Sequence, residues 1–309
     1  MSDQIVVIGS SNTDFIMKME RLPRKGETIT NAVFMQTFGG KGANTAVGAA
    51  RAGGNVAFIN CVGDDAFGPM IIEAMRRAGV QTDGILQAQG IASGSALVMI
   101  DANGDNYLSV APGANYCLTA GDIDQMAGLI ASSAMVMLQY EILPETLYAA
   151  IDLASRLQKP ILFNYAPARS IDESYFAKIR YLVVNEVEAE ALCGFAVNSS
   201  EQAEAATAAL LQRGAQAVVI TLGGRGVIAT DRTGSFHVPA YSVKVVDTTA
   251  AGDIFCGALA VALVEGRPLP ESIRFANAAA AIAVSRLGAQ PSAPSREEIE
   301  AFLRTGDRP

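Results

Sequence analysis

The sequence predicts an α/β fold: a doubly wound, mostly parallel sheet that carries a small inserted β-element. Two observations predict the main sheet and a third the insertion. First, short and nearly all-apolar runs recur at Ile5–Ile8, Val56–Asn60, Ala134–Leu138, Ile161–Phe163, Tyr181–Val184 and Ala217–Thr221. Runs of that length and composition are strands covered on both faces. Second, helical stretches alternate with them, and strand–helix alternation builds a parallel sheet. Third, residues 14–38 and 93–111 lack helical periodicity and contain strand-like runs (TITNAVFMQTF, GSALVMID, NYLSV).

The helices carry their own punctuation. Ala43–Ala52 stops at Gly53 and Phe67–Ala78 at Gly79, both helix-ending positions for glycine. Thr119 with Asp122, and Ser295 with Glu298, have capping-box spacing. Asn185 with Glu188 has it too, at the end of the strand YLVV. In the inserted segments, AsnGlyAsp at 103–105 is the turn expected to join two strands. Sheet segments inserted at the ligand edge of an α/β domain commonly cover the site, so 14–38 and 93–111 are expected to form a lid. No repeat, linker or low-complexity tract divides the 309 residues, and one domain spanning 1–309 is expected.

Composition narrows the function. Half the residues are hydrophobic and 17% are charged, which excludes a disordered chain. A net charge of -8 argues against nucleic acid or an anionic membrane as partner. Cys61, Cys117, Cys193 and Cys256 are widely spaced with no C-x-x-C pair, which fits a reducing cytoplasm. His237 is the only histidine, so a His-based metal cluster is excluded. The start MSDQIVVIGSS is too short in apolar length for a signal peptide, and no apolar run is long enough to span a bilayer.

Three stretches point to chemistry. FGGKGANTAVGAARAGG (38–54) sets Gly39, Gly40 and Gly42 around Lys41, with Asn44 in the first turn of the helix that follows. Glycines admit a ligand to the backbone, and the open N–H groups of a helix start attract anions. GSSNTD (9–14) places Asn12 and Asp14 beyond the first strand, where doubly wound sheets bind ligands. An aspartate beside an asparagine suits vicinal hydroxyls of a sugar, and Glu141 stands at an equivalent strand end. In VDTTAAGDIFCG (246–257), Thr249 is the expected N-cap. Ala250, Ala251, Gly252 and Asp253 then form the first turn of a helix without a charge from Ile254 to Val264. Small side chains over unpaired N–H groups make an anion hole, and the carboxylate beside it can take a proton from an attacking hydroxyl. GGRGVIA (223–229) fits G-x-G-x-x-A from Gly224, but it leads into another β-branched run and not a helix, so it is no dinucleotide fingerprint.

GGKGAN (39–44), NEVE (185–188), TLGGRG (221–226) and DTTAAGD (247–253) together resemble the ribokinase-like family of carbohydrate kinases, over essentially the whole chain. The resemblance implies transfer of the γ-phosphate of ATP to the 5-hydroxyl of D-ribose. Alternatives are deoxyribose, another sugar, a nucleoside, or a non-catalytic sensor on the same fold. It implies Asp253 as base, and the backbone of Ala250, Ala251 and Gly252 as anion hole. The sugar would be held by Asn12, Asp14, Gly40, Lys41, Gly42, Asn44 and Glu141. ATP would lie against Asn185, Thr221, Gly223, Gly224, Gly226, Gly252 and Asn277, with Asn185 and Glu188 placing Mg²⁺ partly through water. A monovalent activator, K⁺, would sit among Asp247, Thr249, Ala283, Arg286, Gly288 and Ser292. A homodimer through the lid is also implied. Ala250 departs from the family pattern, which commonly has glycine there; it is expected to serve with a helical φ.

Overall fold

The computed structural model describes residues 3–103 and 105–305; Gly104, in the turn expected at 103–105, lies outside them. In chain order the strands are β1 (Gln4–Ile8), β2 (Asn12–Lys18), β3 (Val33–Gly39), β4 (Asn55–Gly63), β5 (Ile85–Ala88), β6 (Gly94–Ile100), β7 (Asn106–Ala111), β8 (Met135–Gln139), β9 (Ile161–Asn164), β10 (Tyr181–Asn185), β11 (Ala217–Thr221), β12 (Val227–Asp231) and β13 (Gly234–Val238). The helices are α1 (Lys41–Arg51), α2 (Phe67–Arg77), α3 (Ala120–Gln125), α4 (Ala127–Ser132), α5 (Pro144–Arg156), α6 (Glu186–Cys193), α7 (Ser200–Gln212), α8 (Ala251–Val264), α9 (Leu269–Val284) and α10 (Arg296–Thr305).

The main sheet has nine strands in the order β13-β12-β11-β10-β9-β8-β1-β4-β5. From β11 to β5 every pairing is parallel, and β12 and β13 close the edge as an antiparallel hairpin. Period-two alternation divides the core. Ile5 and Val7 face the cluster built by α1, α2, α8, α9 and α10, whereas Val6 and Ile8 face the one built by α3 to α7. Helix α8 is the most deeply set, buried from Asp253 to Ala262 against α1 and α9. No helix among the described residues is long and apolar enough to cross a membrane.

A second sheet, β3-β2-β6-β7, rises from the carboxyl edge of the first. One of its faces packs on α2, where the Phe15 and Phe67 rings meet edge-on at 5.4 Å. The two inserted segments expected from sequence therefore do form a separate small sheet. Its first strand starts earlier than expected, so Asn12 and Asp14 belong to β2 and not to a loop, while 28–32 are not strand. Helix α1 also starts early, at Lys41, because Gly40 supplies the N-cap with a φ of 90°.

Three of the expected caps form in full. Thr119–Asp122, Asn185–Glu188 and Ser295–Glu298 each exchange two side-chain-to-backbone hydrogen bonds. All four cysteines are free. The Gly223–Arg225 turn runs into β12, in keeping with the rejection of a dinucleotide site.

Candidate active site

The carboxyl ends of β1, β8, β9, β10 and β11 deliver Ser10, Gln139, Glu141, Asn164, Asn185 and Thr221 to one edge of the sheet. Helices α1 and α8 point their N-termini at the same edge. Their contact is pinned by Asn44, whose Nδ2 donates to Asp253 Oδ2 at 3.0 Å while its Oδ1 has no partner. Asp253 is 5% exposed. Burial pushes its carboxyl up to about 6, against the pull of the Lys41 ammonium and the Asn44 amide.

Around Asp253 lies a cavity of about 200 Å³ lined by Lys41, Asn164, Asn185, Glu188, Thr221, Thr248, Ala250, Ala251, Gly252 and Cys256. It shares Thr221, Thr248, Ala251 and Gly252 with a groove of about 500 Å³ that continues past Gly223, Gly224 and Gly226 to Val243, Val245, Asn277, Ala280 and Val284. That groove is mostly apolar along its length and ends on the N-terminus of α8, which suits a planar base at one end and phosphates at the other. On the opposite side a cavity of about 140 Å³ is lined by Ser10, Asn12, Val110, Pro112, Asn115, Tyr116, Glu141 and Arg169.

Glu141 links the cavities. Its Oε2 accepts from Ser10 Oγ at 2.5 Å and from the Lys41 backbone N–H at 3.0 Å. It therefore serves the N-terminus of α1, not that of α5, which follows it in sequence. Asp14 is raised to about 7, by burial first and by the charge of Glu141 second. Lys41 is held above its usual value, by Asp253 most of all, with Glu141 and Glu188 adding to it against the cost of burial. The capping box occupies one oxygen of Glu188 and that of Asn185, Oε2 accepting at 2.9 Å and Oδ1 at 2.8 Å. Burial nevertheless keeps Glu188 above the ordinary carboxylate range.

Two expectations about 246–257 are corrected. Helix α8 begins at Ala251, and its N-cap is Ala250, not Thr249. Ala250 has φ 60° and ψ 7°, the left-handed region, instead of a helical φ. Thr249 is occupied elsewhere: its N–H and Oγ donate to Asp247 Oδ1 at 2.9 and 2.7 Å. The Ala251 N–H is directed to the Thr248 carbonyl at 3.2 Å. The first-turn N–H groups of Gly252 and Asp253, which have no intrahelical acceptor, are thus left to meet an anion. A left-handed alanine is strained by roughly 1–2 kcal/mol, and glycine at this point relieves it at an unfolded-state cost of roughly 0.4–1 kcal/mol. Ala250→Gly should therefore raise the melting temperature slightly or leave it unchanged in thermal denaturation; a fall of several degrees would contradict the left-handed assignment.

Of the residues expected around a monovalent cation, Asp247, Thr249 and Gly288 are linked directly. The second Asp247 oxygen accepts from the Gly288 N–H at 2.9 Å, and the Asp247 N–H donates to the Val284 carbonyl at 3.2 Å. Burial opposes ionisation of Asp247, yet the hydrogen bonds from Thr249 and Gly288 outweigh it and hold the carboxyl low. The Arg286 guanidinium turns away to Glu298 at 2.6 Å, and Ser292 Oγ donates to the Ala289 carbonyl at 2.7 Å. Sequence reasoning missed Asn164, Thr248 and the wall of the 500 Å³ groove. Asn164 carries no motif, Thr248 lies within DTTAAGD but was assigned no role, and the groove is walled mainly by small apolar residues that read as core.

A pfkB carbohydrate-kinase family model matches residues 2–296. The chain belongs to the pfkB family of carbohydrate kinases. Among pfkB relatives, the ribokinase of Haemophilus influenzae is 35% identical over 307 residues, covering 98% of this chain and 99% of that one. The deoxyribokinase of Salmonella typhi is likewise 35% identical, over 300 residues, with 97% and 98% covered. The structure of Arabidopsis thaliana ribokinase complexed with ribose and ATP superposes with a TM-score of 0.92 at 32% identity, covering 98% of this chain and 99% of that one.

Proposed function

We propose that this chain is a ribokinase, transferring the γ-phosphoryl group of ATP to the 5-hydroxyl of D-ribose to give ribose 5-phosphate. The observation that carries the reading is the placement of Asp253. It is a buried carboxylate at an open helix N-terminus, where a polar pocket and a nucleotide-sized groove meet. Asp253 accepts the proton of the primary hydroxyl as the hydroxyl oxygen bonds to the γ-phosphorus and the bond to the leaving ADP breaks. The N–H groups of Gly252 and Asp253 stabilise the charge on the transferring oxygens, and the turn at Ala250 and Ala251 presents them. Asn12, Asp14, Gly40, Gly42, Asn44 and Glu141 hold the sugar, and Lys41 lies between sugar and phosphate. The unpartnered Asn44 Oδ1 is free to accept from a hydroxyl. Asn185, Thr221, Gly223, Gly224, Gly226 and Asn277 face the nucleotide.

The residues present fit Mg²⁺ only in an outer role. Asn185 and Glu188 are half-used by their capping box, and no group of three His, Cys, Asp or Glu suited to a metal exists among the described residues. Such an ion takes most of its ligands from phosphates and water, where it neutralises charge. The Asp247 loop fits a monovalent cation better than a divalent one. Its candidate ligands are oxygens of Asp247, Thr249, Ala283, Arg286, Gly288 and Ser292, mostly backbone carbonyls with one formal charge among them. Rates should therefore be several-fold higher in potassium than in a bulky organic cation; equal rates would remove the cation from the scheme.

A single domain with the second sheet as a lid, working as a cytoplasmic homodimer, completes the proposal. Register supports the dimer. Ile16, Met35, Val98 and Leu108 form one cross-strand row, flanked on the same face by Val33 and Val110. Leu108 and Val33 are 65% and 61% exposed, so this apolar face is uncovered among the described residues. Asp14 stands on the same face at its inner end.

Similarity to a deoxyribokinase at equal identity supports a second acceptor reading. A phosphorylation panel of ribose, deoxyribose, fructose and adenosine with ATP decides between them, and ribose should give the highest kcat/KM. Asp14→Ala should raise the ribose KM roughly 10- to 100-fold, the worth of hydrogen bonds to a charged group. Because Asp14 ionises only above about 7, the wild-type ribose KM should fall as pH rises from 6 to 8, and Asp14→Asn should flatten that trend. An unchanged KM in Asp14→Ala would refute the sugar assignment.

A further inference from the structure

Beneath the sugar pocket, one buried network ties the exit of β1 to the second sheet. Its centre is Asn115, 2% exposed, in the short turn of helix after β7. Every hydrogen-bonding position of its amide is filled. Oδ1 accepts from the Ser11 N–H at 2.8 Å and from Asn60 Nδ2 at 3.1 Å, and Nδ2 donates to the Ser11 carbonyl at 3.0 Å and to Asn12 Oδ1 at 2.9 Å. Asn60 is fixed in turn, donating to the Gly9 carbonyl at 2.8 Å and accepting from Ser11 Oγ at 2.6 Å.

The backbone dictates these orientations. An N–H and a C=O of the same residue, Ser11, meet the two ends of the Asn115 amide, so that amide has one permitted orientation. Its Nδ2 then faces Asn12 and demands an acceptor, which turns Asn12 Oδ1 inward. The Asn12 Nδ2 is left on the side of the cavity it lines with Glu141. Gly94, the first residue of β6 and the register partner of Asn12, leaves the room required. A Cβ there would lie 2.2 Å from Asn115 Nδ2 and 2.3 Å from Asn12 Oδ1.

We propose that Asn115 is a positioning residue for acceptor specificity: it locks the Asn12 amide so that a donor, not an acceptor, is presented to a hydroxyl oxygen of the sugar. The inference rests on the reading above that Asn12 contacts the sugar. Asn115 itself has no hydrogen-bonding capacity left for a ligand. Because it joins β2, β4 and the return from β7, it also fixes the base of the second sheet relative to the pocket.

The test is a double-mutant cycle in the full-length protein, with ribose and ATP varied separately. Asn115→Asp keeps the shape but sets an acceptor against the Ser11 carbonyl and Asn12 Oδ1. Asn115→Ser, too short to reach Asn12, covers the case in which the buried acid fails to fold. Either folded variant should raise the ribose KM at least tenfold with ATP KM within twofold and kcat within threefold. In an Asn12→Ala background the same substitution should add less than twofold. If Asn12→Ala raises the ribose KM but the Asn115 effect persists undiminished on top of it, or if both KM values rise together, the positioning role is overturned while the sugar site stands. If Asn12→Ala leaves the ribose KM unchanged, both fall.

Discussion

Asp253→Asn should abolish turnover while leaving the fold and both ligand sites in place. The substitution keeps the shape of a residue buried at the start of α8 and keeps an oxygen for the Asn44 Nδ2 to donate to. What it removes is the lone pair that accepts the hydroxyl proton. General-base removal costs typically about 10²- to 10⁴-fold, and kcat should fall by at least that much, while ribose and ATP dissociation constants measured by calorimetry stay within about threefold. The same carboxylate sets a pH signature. Its ionisation in the free protein is raised to about 6 and only the deprotonated form is a base, so wild-type kcat/KM for ATP should be level above that value and fall about tenfold per pH unit below it. An asparagine variant within tenfold of wild-type kcat would remove Asp253 from the role of base.

The buried environment that raises Asp253 was partly legible in the residues themselves. A stretch with no charge from Ile254 to Val264 reads as a buried helix, and the structure buries α8 from Asp253 to Ala262. Strands at Ile5–Ile8, Ile161–Phe163 and Ala217–Thr221 were legible for a related reason: both faces of the sheet are covered, so period-two polarity disappears and a short apolar run remains. Thr249 and Ala250 were not legible. The preference of threonine for N-cap positions is a local tendency, and here the Asp247 carboxylate competes for the Thr249 N–H and hydroxyl. With Thr249 diverted, the chain must turn into α8 one residue later, and Ala250 takes the left-handed conformation. Glycine in the family pattern answers that backbone need, which the idea of a helical φ overlooked.

The site divided along a similar line. Residues carried by glycine-rich or acidic motifs could be found, because such patterns are rare in a core. Asn60, Asn115 and Asn164 could not, since a single asparagine between apolar residues has no periodic signature. The importance of Asn60 and Asn115 comes from partners more than 40 residues away in sequence, Gly9 and Ser11. Likewise Glu141 reads locally as an acid ahead of α5, but the parallel pairing of β8 with β1 carries it to the N-terminus of α1.

Lys41→Met should produce the second-largest loss, with a signature that separates two possible jobs. The lysine stands in the first turn of α1, where the helix dipole disfavours a cation. Stability of the helix is therefore not what places it there. Its ammonium is the sole positive side chain among those lining the cavity around Asp253, and Asp253 is the strongest influence holding it charged. If it neutralises the phosphoryl group in flight, removal should lower kcat by about 10²- to 10³-fold, the usual worth of one electrostatic contact to a transition state. It should also release Asp253 from the charge that pulls its ionisation down, so the acid limb of the residual activity should move above about 6. A lysine that only holds sugar would instead raise the ribose KM and leave the plateau of kcat unchanged, although the limb would still move because its charge acts on Asp253 in either case. Lys41→Arg should restore part of kcat and return the limb toward its wild-type position, because charge is kept while geometry is not. A methionine variant with unchanged plateau kcat and a raised ribose KM would confine Lys41 to sugar binding.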